Sequence, residues 1–204
     1  MTLTAEQIKE NWDEFLGYIE THISSPRKEK LLEFYNKYED RLMLMPASHK
    51  VQYHNCFPGG YVDHVNRVVK GALATHKVWE AFDADTTTYT IEELVFSAIN
   101  HDLGKMGDEN NVAYLPQTDN WRKTNLGEMY VHNKALPFLS VPDRGLHMLQ
   151  SHGINYTTNE ENVEKQKKNF TLSNNKKKPP IKQKALSSAS SENLKGVIDK
   201  FFDS

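Results

Sequence analysis

The run His54-Asn55-Cys56-Phe57-Pro58-Gly59-Gly60-Tyr61-Val62-Asp63-His64 closes an irregular stretch, residues 46–59, and opens a helix. From Gly60 the apolar positions Val62, Val65, Val68, Val69, Ala72, Leu73, Val78 and Trp79 recur at helical spacing and predict about five turns. A second run, Ala98-Ile99-Asn100-His101-Asp102-Leu103-Gly104-Lys105, ends another helix. That helix starts at a capping box, Thr90 with Glu93, and carries Leu94, Val95, Ala98 and Ile99 on its apolar face. It delivers His101 and Asp102 near its C-terminal end, where Gly104 fits a C′ stop.

Toward the N-terminus, Thr4 and Gln7 have the form of a capping box. Ile8, Trp12, Phe15, Leu16, Ile19 and Ile23 then predict a helix over 5–23. Ser25 as N-cap with Pro26 at the first helical position predicts a second helix. Its stripe is Leu31, Leu32, Tyr35, Tyr38 and Leu42, and Pro46 ends it. Toward the C-terminus, residues 106–127 lack a clear period and read as a long ordered excursion, with room for a short hairpin. Short helices are expected over 128–139 and 142–152, and no internal repeat is found.

The 204 residues are enough for one ordinary domain, and no apolar run of bilayer length occurs. The first residues carry neither a basic nor an apolar signal region, and the single Cys56 cannot form an internal disulfide. A cytoplasmic protein without a membrane role is expected. Charge divides the chain. Residues 1–160 hold 15 basic and 22 acidic side chains, and residues 161–204 hold 10 and 5. Residues 165–184 contain eight Lys and no acid, the composition of a flexible linker. The expected organisation is a helical domain at 1–158, a Lys-rich linker at 159–190, and a short amphipathic helix or docking peptide at 191–204.

Adjacent helical residues point about 100° apart, so His101 and Asp102 can pinch one metal ion between them at an opening helix end. A third ligand must come from another helix. His64 supplies it if the two helices pack antiparallel. Mixed imidazole and carboxylate donors suit Mn, Fe, Co, Ni or Zn better than Ca. His22, His49 and His76 have no supporting context, and His147 reads as a helix-face residue.

Taken together, the Gly-Gly-x-x-x-His start of one helix and the His-Asp-x-Gly-Lys end of another resemble the HD-domain metal-dependent phosphohydrolases over about residues 46–153. The resemblance implies an all-α, HD-type bundle in which His64, His101 and Asp102 hold a divalent metal (Mn, Fe, Co, Ni, Zn or Mg) that activates water. It places Asp102 and Lys105 in catalysis, Lys105 against a substrate phosphate and His54 facing the substrate. The implied substrate is a nucleotide or related phosphate ester. His132 and His152 lie where two-metal HD proteins carry extra histidines, which opens a second metal site and a di-iron oxygenase as an alternative. The chain departs from the family pattern in one respect: no Asp lies between Asp143 and Asp199, where a late ligand is usual. A catalytically impaired module that binds a nucleotide or a replication partner therefore stands as another alternative.

The tail offers a partner surface. Lys195-Gly196-Val197-Ile198-Asp199-Lys200-Phe201-Phe202 is similar to a sliding-clamp-binding peptide, with Ile198 three places before the first of the paired aromatics Phe201 and Phe202. Lys195 stands where that motif opens with Gln. Such a tail on a compact HD-type domain is similar to proteins of tailed, T4-like phages. The Lys-rich linker could also contact nucleic acid through phosphates, but it lacks Arg and is poor in aromatics, so a solvated spacer is the expected reading.

Overall fold

The computed structural model describes residues 2–163. The expected linker beyond residue 163 and the docking residues Ile198, Phe201 and Phe202 lie outside the described residues. In chain order the elements are α1 (Ala5–His22), α2 (Arg27–Lys37), α3 (Glu39–Leu44), α4 (Gly60–Ala81), α5 (Ile91–Asn100), a 3₁₀ turn (Leu103–Met106), β1 (Tyr114–Pro116), α6 (Asn120–Leu126), β2 (Tyr130–His132) and α7 (Val141–Ser151). The described chain is mostly helical, with one small antiparallel ribbon pairing Tyr114 with His132 and Pro116 with Tyr130.

Both capping boxes form. Thr4 Oγ1 accepts from Gln7 N while Gln7 Oε1 accepts from Thr4 N, and Thr90 and Glu93 repeat the exchange. Trp12, Phe15 and Ile19 share the buried face of α1, and Val62, Val65 and Val69 share that of α4. The core continues through Leu31, Phe34 and Tyr35 of α2 and Val95, Phe96 and Ile99 of α5. Truncating any of the large side chains here costs about 3–5 kcal/mol. α4 packs on both α1 and α5, and that contact brings His64 toward the end of α5.

Several sequence expectations need correction. The second helix is broken at Tyr38, which serves as C-cap of α2 and N-cap of α3. No helix forms over 128–139. Tyr130–His132 is strand β2, because Met129 and Tyr130 donate backbone hydrogen bonds to His49 O and Asn133 donates to Ala113 O. The 106–127 excursion contains β1 and the short helix α6. Gly104 lies inside the 3₁₀ turn; a Cβ there would come within 2.0 Å of Val141 O, so its role is to let α7 approach. Residues 158–163 are helical, and Glu160 within them is buried, so ordered structure runs past residue 158.

Candidate metal centre

Two polar anchors set the positions of the histidines. At the start of α4, Asn55 takes a positive φ of 50° and its carbonyl accepts from Ala47 N. Its side-chain amide donates to Gly60 O at 2.9 Å and to Asp63 Oδ2 at 2.6 Å. A Cβ on Gly60 would lie 2.3 Å from Asn55 O, so only glycine lets this segment press against the helix start. His54 is thereby carried onto α4, with its ring centroid 4.4 Å from that of His64. At the end of α5, the buried Asn100 accepts from Tyr35 Oη at 2.7 Å and donates to Phe96 O at 2.8 Å. His101 and Asp102 follow directly.

A carbonyl can only accept, so the 2.8 Å contact to Ala98 O makes His101 Nδ1 the protonated nitrogen. In the neutral ring Nε2 then carries the lone pair that a metal would take. His64 Nε2 and His101 Nε2 lie 3.1 Å apart, and Asp102 Oδ2 lies 3.5 Å from the first and 3.4 Å from the second. Donors bound about 2.1 Å from one cation, at angles of about 90–110°, are separated by roughly 3.0–3.4 Å. The triangle fits one such ion. His54, His64 and Asp102 also each present a ligand atom within 4.8 Å of the others, and His54 is exposed.

Asp102 is only 2% exposed. Burial opposes its ionisation, but the facing imidazoles of His101 and His64 and the adjacent Lys105 ammonium hold its carboxyl far below the ordinary range. Lys105 Nζ donates to Asp102 Oδ2 at 2.5 Å and to Ala47 O at 2.9 Å. Lys105 thus has a structural role, neutralising the buried carboxylate.

His132 and His152 do not join the cluster. His132 packs against His49 and Tyr114, with centroids 4.8 and 5.2 Å away. His152 packs against Phe34 and Tyr38; its Nδ1 contacts Met148 O and its Nε2 contacts Lys37 Nζ and Tyr38 Oη. Among the described residues no group of three candidate ligands includes either one, so the expected second site from this pair is not built. His54, expected to face substrate, is the residue whose ligand geometry the sequence reading missed; the one signal available was its position just before the Gly-Gly turn.

Two cavities are lined by residues of the cluster or its Lys105 partner. One, of about 700 Å³, has His101 in its wall and runs between α4, α5 and the 158–163 turn. The other, of about 420 Å³, has Lys105 in its wall and lies between the β1–β2 ribbon and residues 136–141. No helix among the described residues is long and apolar enough to cross a membrane. No protein-family model, curated protein or solved structure matches the chain.

Proposed function

We propose that the chain is a metal-dependent phosphohydrolase of the HD type, acting on a nucleotide or related phosphate ester. The observation that carries this reading is the 3.1–3.5 Å triangle of His64 Nε2, His101 Nε2 and Asp102 Oδ2. His64, His101 and Asp102 would hold one divalent cation, and His54 would complete the donor set where the family pattern has a late Asp. When bound, the cation supplies Lewis acidity toward a phosphoryl oxygen and lowers the pKa of water. The protein's own groups do the rest. The Ala98 carbonyl keeps Nε2 of His101 turned inward. Lys105 balances Asp102, and its positive charge would stabilise the phosphate. Tyr35 and Asn100 fix the end of α5 and so keep the pair His101-Asp102 in register with His64.

The test is hydrolysis of nucleoside mono-, di- and triphosphates and cyclic nucleotides by the full chain, with Mn, Mg, Co, Ni, Fe and Zn supplied in turn. Turnover that chelation abolishes is expected, along with loss of both metal and turnover in His101→Ala and Asp102→Ala. Full activity in those variants would overturn the assignment. Saturable nucleotide binding without turnover under every metal would replace the enzyme by a binding module.

A further inference from the structure

Arg144 is 8% exposed, and its guanidinium donates to the carbonyls of Gly104, Pro137 and Leu139. No carboxylate among the described residues forms an ion pair with it. Its direct hydrogen-bond partners are carbonyls, and Asp108 acts on it only at longer range. The guanidinium is in the wall of the 420 Å³ cavity, which also contains Lys105 and His132 but no acidic side chain among the described residues. The larger cavity differs, since Glu93 is in its wall together with apolar groups such as Val68, Leu94 and Ala98.

The rest of the smaller cavity is apolar and aromatic. Tyr114 and His132 are paired across the ribbon with their rings 5.2 Å apart, and Leu136, Pro137 and Val141 also line the cavity. Phe138 belongs to the same wall yet is 98% exposed. The backbone on either side of it is tied down by Arg144 through Pro137 O and Leu139 O, so the phenyl ring is held at the mouth rather than tucked inside. Leaving a Phe uncovered forgoes a favourable burial, and a flat aromatic partner would recover it.

We propose that this cavity seats the planar ring of an aryl or nucleoside phosphate, with Tyr114 and His132 as one wall and Phe138 closing over the mouth. The inference rests on the phosphohydrolase reading for the position of the phosphate, beside Lys105 and the histidine cluster. Ring stacking selects such an ester over an alkyl ester.

Phe138→Ala is the informative variant, because a side chain this exposed contributes little to folding. The full chain and the variant are compared on 4-nitrophenyl phosphate, adenosine monophosphate and glycerol phosphate, each with the metal that supports turnover. Adenosine, which has no phosphate, is titrated calorimetrically into both proteins. The variant should lose about three- to tenfold in kcat/KM on the two ring-bearing esters and keep its activity on glycerol phosphate. Adenosine binding should weaken by a similar factor. Equal losses on all three esters, or no loss on any, would overturn the ring seat, as would adenosine binding unchanged by the substitution. If the unaltered chain hydrolyses no ester with any metal, the phosphohydrolase reading fails by itself, and the adenosine titration still decides the ring seat.

Discussion

Asp102 organises the charge of the cluster around it. It is the buried anion on which Lys105, His101 and His64 all converge. Its folded-state pKa is depressed, so its ionised form contributes stability above the unfolded value of 3.8, and that contribution erodes as pH falls below it. Asp102→Asn removes one partner of a buried pair and leaves Lys105 beside a neutral amide. A loss of about 3 kcal/mol at pH 7 is expected in urea unfolding. Between pH 5 and 3 the unaltered protein should lose stability more steeply than the variant. Parallel pH profiles would show that the carboxylate's ionisation is not linked to folding. His54 illustrates the limit of reading single residues: its type and place were visible, but its partnership with His64 depends on the left-handed turn at Asn55, which local spacing does not reveal.

Helix ends decide where the chemistry falls. Both Thr capping boxes and the α4 and α5 stripes were legible because each depends on residues three or four apart. The break at Tyr38 and strand β2 were not, since each is imposed by distant packing and backbone partners, as when Met129 and Tyr130 bind His49 O. Gly104 shows the same limit. Its place near a helix end suggested a stop, whereas its structural need is the close approach of Val141. Gly104→Ala should therefore cost about 3 kcal/mol or more, because the clash is with backbone that cannot rotate away. Thermal unfolding checks this. A change under about 0.5 kcal/mol would mean that α7 accommodates a methyl group and that the contact does not hold the 3₁₀ turn beside Asp102.

At the scale of the fold, Arg27 joins segments far apart in the chain. It donates to Glu160 at 2.8 and 2.9 Å, to Glu92 at 2.5 Å, and lies over the Phe96 ring at 4.3 Å. Burial raises the Glu160 carboxyl despite the Arg27 contact. Arg27→Ala would strand a carboxylate that is 2% exposed, at an expected cost of about 3 kcal/mol in urea unfolding. An unchanged midpoint would show that the 158–163 turn is held by other contacts, such as Thr157 and Asn159 to Glu93. The centre itself should stabilise the whole molecule when loaded, by about 2.7 kcal/mol at a metal concentration a hundredfold above Kd. The most direct measurement is a calorimetric titration of Mn²⁺ into the chelator-treated full chain, alongside His64→Ala and Asp102→Asn. One ion per chain, bound saturably and lost in both variants, is expected; no binding to the unaltered chain, or binding that both variants retain in full, would contradict a shared metal centre at His64, His101 and Asp102.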